Sequence, residues 1–286
     1  MAVPIGCPRS LADLRAGGKV ALARALTAIE TAPDDGELIG LLDAAFVDSK
    51  GHVLGITGPP GVGKSTLTNA LLQAWRRVGK TVGVIAVDPS SRVTRGALLG
   101  DRTRIRTDPD DPGTFVRSMA ARDRLGGLSA ETVAAMVLFR AVFDITIVES
   151  VGIGQSEADI SFVADTVLLC LQPGSGDSLQ FMKAGIMELP DILAVTKIDQ
   201  GMLAERARAD AAGALGLSAA AEGVSVLAVS AATGQGIDGL IVQAEAHAEG
   251  LVNGLITRRA RQSQRWLEDA VTAEFGRQGL IHARDL

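Results

Sequence analysis

The sequence predicts an α/β fold, a mostly parallel sheet with helices on both faces. Two observations carry that expectation. Short β-branched runs alternate with helical stretches through the middle of the chain: HVLGIT, TVGVIAVD, TFVRS, DITIVES, DTVLLCL, DILAVT and VSVLAVS. The first of these runs also leads through a glycine-rich loop directly into a helical stretch, STLTNALLQAW. Continuous apolar strands separated by helices indicate a sheet buried on both faces. Its connections are then right-handed crossovers, and ligands sit at the carboxyl ends of its strands.

Before the first strand, residues from Ser10 to about Ser49 read as two helices. Leu11, Leu14, Leu22, Leu26 and Ile29, then Leu38, Leu41, Leu42, Ala45 and Phe46, recur at helical spacing, and the turn-prone Ala32-Pro33-Asp34-Asp35-Gly36 separates the two groups. After the last strand, Leu255 to Phe275 again has helical spacing, with Ile256, Ala260, Ser263, Leu267, Ala270, Val271 and Phe275 on one side and Arg258, Arg259, Arg261 and Arg265 largely elsewhere. Such an amphipathic arm packs either on its own domain or on a second subunit. The expected organisation is therefore an N-terminal helical extension over 1–50, an α/β unit over 51–250 and a C-terminal helical arm over 251–286.

Composition narrows the function classes. The 286 residues carry 28 Lys plus Arg against 33 Asp plus Glu, a formal charge of -5. That balance lacks the basic excess on which general nucleic-acid binding depends. Aromatics are 3% with no Tyr, which argues against sites built on stacked bases. Cys7 and Cys170 stand apart, with no CxxC and no neighbouring His, and are expected to be free thiols in a reducing compartment. No window reaches the apolar length of a membrane span and the N-terminus lacks a signal-like pattern, so the protein is expected in the cytoplasm.

The strongest motif is Gly58-Pro59-Pro60-Gly61-Val62-Gly63-Lys64-Ser65, which fits G-x-x-x-x-G-K-[ST] between a strand and a helix. Gly58, Gly61 and Gly63 let the backbone turn so that its N–H groups face a phosphate, and the helix starting near Lys64 adds the positive end of its dipole. Lys64 is expected to neutralise β and γ phosphates, and the Ser65 hydroxyl to bind Mg²⁺. Two other strand ends offer carboxylates for the metal, Asp88 in AVDPSS and Glu149 in IVESVG. Gly152, three residues after Glu149, is suited to present its N–H to a γ-phosphate. The competing reading of Asp88 and Glu149 is that each caps its turn.

Base choice is read from Thr196-Lys197-Ile198-Asp199 at another strand end. A carboxylate only accepts hydrogen bonds, so Asp199 suits the N1 and N2 hydrogens of guanine and repels the N1 acceptor of adenine. Lys197 can lay its aliphatic stem along the base. Ser230-Ala231-Ala232 after the next strand can offer backbone N–H to guanine O6. Together these favour GTP over ATP.

With these motifs in place, the chain resembles the methylmalonyl-CoA mutase-associated GTPases over nearly its whole length. GITGPPGVGKST, AVDPSS with LLGDRTRI, FVRSMAARDRLGGL, ESVGIGQSE, QPGSGDSLQFMKAGIMELPDILAVTK, SAATGQGIDGL and the tail RQSQRWLEDAV carry the resemblance. It implies a P-loop G-protein chaperone that binds an adenosylcobalamin-dependent acyl-CoA mutase, gates cobalamin delivery from an adenosyltransferase and protects the mutase, with GTP hydrolysis as the timing step. By the same resemblance, Lys64, Ser65 and Thr66 match the phosphate loop, and Asp88, Asp101 and Glu149 match the acidic positions around Mg²⁺. The stretch from Gly152 to Asp159, with Gln155, matches a switch, and Gln172 to Glu188, with Asp177 and Lys183, matches a segment that signals to the mutase. It also implies a homodimer through the C-terminal arm, although the tail ends early at Leu286. Thr196 stands where the family commonly has Asn, and Arg95 and Arg124 stand where Gly and His are expected.

Hydrolysis is expected by in-line attack of water on the γ-phosphate, with Lys64, Asp101 and Glu149 in the catalytic set, slow until the mutase orders the switches. Three rivals remain. A nickel-delivery GTPase needs clustered Cys or His, and the chain has only His52, His247, His282 and its two separated cysteines. A P-loop ATPase or kinase linked to amino-acid transport conflicts with Asp199. A binding module with a locked structural nucleotide would not need the carboxylates at 88, 101 and 149.

Overall fold

The computed structural model describes residues 4–89, 105, 107–121, 128–150, 160–174, 190–216, 223–251 and 253–284. All seven strands expected from the sequence form: β1 (His52–Thr57), β2 (Val82–Pro89), β3 (Thr114–Ala121), β4 (Ile145–Glu149), β5 (Thr166–Leu171), β6 (Ile192–Val195) and β7 (Ser225–Ala228). They make one parallel sheet in the order β3-β2-β4-β1-β5-β6-β7. β1 is central, with Leu54 paired to Ile147 on one side and to Thr166 on the other. The chain runs to one side of β1 for β2, β3 and β4 and to the other for β5, β6 and β7. A ligand crevice therefore opens at the carboxyl end of β1, where the strand order reverses.

Helices cover both faces. α1 (Leu11–Ala16), α2 (Gly18–Thr31), α3 (Gly36–Val47) and α5 (Ala130–Val142) belong to one face, and α4 (Lys64–Arg77) belongs to the other. α6 (Met202–Leu215) lies at the β5–β6–β7 end, and α7 (Ile237–Gly250) shares the face of α4. Leu14, Leu22, Leu26, Leu38 and Leu41 of the N-terminal helices lie in the same apolar cluster as Ile85, Phe139 and Val148. Each such buried side chain contributes about 1.5–3 kcal/mol relative to exposure.

The N-terminal region differs from expectation. It forms three helices, because the first expected helix divides at Gly17-Gly18, where Gly18 adopts φ +55. A left-handed residue cannot continue a right-handed helix, and glycine enters that conformation without a Cβ clash. The second break falls where expected: the Asp35 side chain accepts from Glu37 N–H and Leu38 N–H and caps α3.

The C-terminal helix α8 (Leu255–Arg284) runs past the expected end at Phe275 but kinks at Gly276, with φ 67. Its first turns pack on their own chain. Arg259 forks onto the Asp165 carboxylate at 2.9 and 2.6 Å and bonds the Gly51 carbonyl, while Arg258 forks onto Asp191 at 3.1 and 2.8 Å. Gln262 donates to the Ala164 carbonyl and the Trp266 indole to that of Phe162. Beyond this, Leu267 and Phe275 are exposed. Among the described residues no helix is long and apolar enough to cross a membrane.

Candidate functional site

The glycine-rich loop leaves β1 at the crevice. Gly58, Gly61 and Gly63 all have positive φ, at 138, 76 and 100. Gly58 is needed twice over, because a Cβ there would also overlap the Cys170 carbonyl oxygen of neighbouring β5. Gly63 caps α4 with no side-chain hydrogen bond, so the first N–H groups of that 14-residue helix point toward the loop. Val62 is fully buried and anchors the loop. Lys64 is buried, and its ammonium donates to the Gly58 and Pro59 carbonyls at 2.7 and 3.2 Å. A lysine folded over its own loop brings a positive charge to the concave side where phosphate binds. Thr66 is exposed on the first turn of α4.

Glu149, 3% exposed at the end of β4, faces this helix. Ser65 donates to its Oε1 at 2.7 Å and Thr68 to its Oε2 at 2.9 Å. A turn-capping role does not describe it, because both carboxylate oxygens are turned to hydroxyls of α4. Just beyond, Ser150 donates to the Thr57 hydroxyl at 2.9 Å and its N–H to the Ile56 carbonyl, joining the ends of β4 and β1. Ser65 Oγ and the Glu149 oxygens form a hard oxygen donor set, which fits Mg²⁺, an ion that completes its shell with water and phosphate oxygens. The soft donor nearby, Cys170, does not compete: burial pushes its thiol up to about 12, so it stays protonated.

The base-side segment follows β6. The Thr196 hydroxyl lies 2.8 Å from the Val62 carbonyl and 3.0 Å from the Leu171 carbonyl, so a threonine at this position does hold the segment to the P-loop. Lys197 adopts φ 57 and donates to the Gly61 carbonyl at 2.9 Å and to Gln172 Oε1 at 2.5 Å. Asp199 sits in the short 3-10 turn Ile198–Gln200 and is exposed. The Ser230 N–H is already bonded to the Gln235 carbonyl at 2.9 Å. Within the Ser-Ala-Ala turn this leaves the N–H groups of the half-buried Ala231 and the exposed Ala232 as the candidate donors to guanine O6.

The structure thus brings Gly58, Gly61, Val62, Gly63, Lys64, Ser65, Thr66, Glu149, Thr196 and Lys197 to one end of the sheet, with Asp199, Ser230, Ala231 and Ala232 beside them. Asp88 ends β2 in the same layer, but its side chain lies outside the described residues. Asp101, Gly152, Gln155, Asp177 and Lys183, with Arg95 and Arg124, also lie outside them. Sequence reasoning missed Thr68, the Thr57–Ser150 pair and the contact of Gln172, named there only as the start of the mutase-signalling segment, with Lys197. Thr68 carried a signal, since it stands three residues after Ser65 on the same helix face. The other three did not.

The family model described as methylmalonyl-CoA mutase-associated GTPase MeaB matches residues 22–280, a span that contains every site residue named above. The chain belongs to this MeaB family. A Pyrococcus horikoshii relative is 47% identical over 189 residues, covering 65% of this chain and 59% of that protein. The chain thus matches less than two thirds of that relative's length. The methylmalonic aciduria type A homolog of Caenorhabditis briggsae, named as mitochondrial, is 37% identical over 215 residues, covering 70% of this chain and 52% of that one. Among solved structures, a LAO/AO transport system kinase superposes with a TM-score of 0.72 at 28% identity, covering 92% of this chain and 82% of that one. The MeaB match and this superposition place the seven-stranded parallel sheet and its phosphate loop among the P-loop GTPases.

Proposed function

We propose that the chain binds GTP, hydrolyses it slowly to GDP and phosphate, and acts as a G-protein chaperone of an adenosylcobalamin-dependent acyl-CoA mutase. The observation that carries the catalytic half is the convergence of Lys64, Ser65 and Glu149 at the carboxyl end of β1. Lys64 and the loop N–H groups neutralise the phosphate charge that grows on the leaving oxygens. Ser65 and Glu149, with Asp88 and Asp101, would hold Mg²⁺, which supplies charge neutralisation between the phosphates. Thr68 keeps the Glu149 carboxylate turned toward Ser65. Asp199 accepts from guanine, Lys197 lies along the base, and Ala231 and Ala232 donate to O6.

The chaperone half rests on the family match and on the relative named for methylmalonic aciduria type A. In this reading Gly152, Gln155, Asp177 and Lys183 report nucleotide state to the mutase. An adenosyltransferase supplies the cobalamin, and the arm over 251–286 joins two copies beside the catalytic unit over 51–250 and the helical extension over 1–50. Free Cys7 and Cys170 suit a reducing cytoplasm. A second reading, phosphoryl transfer linked to amino-acid transport, draws on the name of the superposed kinase.

The test measures GTP and ATP hydrolysis with Mg²⁺, with and without a cobalamin-dependent mutase, beside Asp199→Asn. GTP-selective turnover that accelerates with the mutase, and at least tenfold weaker GTP use in Asp199→Asn, is the expected result. Equal use of ATP transfers the case to the transport kinase. Indifference to the mutase removes the chaperone role.

A further inference from the structure

We propose that Gln172 is a positioning residue for base recognition: its amide oxygen pins the Lys197 ammonium beside the P-loop, so that the Lys197 stem is held stretched along the place of the base. The inference rests on the guanine-nucleotide reading above.

Two adjacent side chains join the base-side segment to the P-loop, and they are not equally able to do so. The Thr196 hydroxyl has a single hydrogen but faces two carbonyl acceptors, Val62 at 2.8 Å and Leu171 at 3.0 Å. It can donate fully to only one of them at a time, so this link is divided. Lys197 has three hydrogens and no such limit, but its stem has four rotatable carbons, and a single contact to the Gly61 carbonyl leaves much of that freedom in place.

Gln172 removes it. The residue follows β5, a different element from the P-loop, and its Oε1 lies 2.5 Å from Nζ. Two acceptors on two separate elements define where the ammonium sits, and the stem must then span the distance back to its own Cα. That Cα is itself in an unusual state. Lys197 is the one non-glycine among the described residues with positive φ, a conformation disfavoured for any residue with a Cβ. The backbone holds that conformation while the side chain is bonded to the loop. Asp199 follows two residues later in the 3-10 turn that this backbone starts, with Lys197 as its cap. The Gln172 contact therefore acts on the base side of the nucleotide site and not on the phosphate side, which Lys64, Ser65 and Glu149 build without it.

The experiment compares wild type, Gln172→Met and Gln172→Glu in the full chain. It reads affinity and dissociation rate for fluorescent GDP, affinity for ADP, affinity for inorganic tripolyphosphate, and thermal unfolding. Tripolyphosphate engages the P-loop and has no base. Gln172→Met keeps the length and loses the acceptor, and is expected to bind GDP about tenfold more weakly through faster release. Its tripolyphosphate affinity and melting temperature should match wild type. Gln172→Glu keeps an acceptor at the same reach and is expected to bring GDP affinity back to within about twofold of wild type.

Unchanged GDP binding in Gln172→Met, with wild type selective for GDP over ADP, overturns this inference alone. Equal weakening of GDP and tripolyphosphate also overturns it, because Gln172 would then support the loop as a whole. A wild type that binds ADP as well as GDP overturns the guanine reading and this inference with it.

Discussion

At the scale of single residues, the site is built from contacts that differ in how far the sequence announces them. Gly58 combines φ 138 with a backbone approach that leaves no space for a Cβ against the Cys170 carbonyl. Gly58→Ala is therefore expected to lower stability by about 2–3 kcal/mol and to weaken nucleotide binding, measured by urea unfolding and by titration with GDP. Gly61→Ala has open space around its Cβ and faces only the conformational cost, so its loss of stability should be about 1 kcal/mol. The P-loop was readable in advance because spacing alone encodes it. Lys197 and Asp199 were readable as candidates only from the position of TKxD at a strand end after the P-loop and before the Ser-Ala-Ala turn, because two fixed charges within four residues arise often by chance. Gln172 was not, since a neutral amide that meets a lysine 25 residues later follows no periodicity.

At the scale of elements, six strands were readable as largely apolar runs with turn residues at their ends, and the edge strand β3 from its β-branched and aromatic start Thr114-Phe115-Val116, although Arg117 and Ser118 interrupt it. The N-terminal helices were read with one break instead of two. Apolar spacing continues across Gly17-Gly18, and only the backbone angle of Gly18 separates α1 from α2. The arm was read as a helix whose partner the pattern could not name, because an amphipathic face looks the same against one's own domain or another's. Its docking depends on charge as much as on apolar contact. Asp165 is fully buried, and Arg259 supplies a fork of two hydrogen bonds to it. Arg259→Leu would leave that carboxylate with the Val53 N–H and a distant His52, and is expected to cost about 3–5 kcal/mol in chemical denaturation. Arg258→Leu should cost less, because His247 also contacts Asp191, at 3.3 Å.

At the scale of the whole molecule, two ends of one sheet have different chemistry. The carboxyl ends carry the nucleotide site, and the opposite ends carry the buried Asp165 and Thr166 with the half-buried His52, Asp191 and His247, a set that the arm closes over. Burial lowers the His52 imidazole from 6.5 to about 4. A depressed histidine is neutral when folded and takes up a proton on unfolding, so its contribution is complete above pH 6.5 and disappears as pH falls toward 4. Stability should drop over that window by on the order of 3 kcal/mol, and His52→Gln should flatten the slope in pH-dependent unfolding. Asp191 does not account for this window. Burial alone would raise its carboxyl, but His247, Arg258 and the Val167 N–H outweigh that and hold it at about 2, so its contribution is lost only below pH 3.8. The two indoles of the chain happen to stand on separate parts of this architecture, Trp75 inside the sheet–α4 core and Trp266 on the docked arm, and no tyrosine adds to their emission. Intrinsic fluorescence therefore has two resolvable sources: iodide should quench Trp266 as the arm lifts while Trp75 stays dark to it, so undocking can be followed optically in the unlabelled protein.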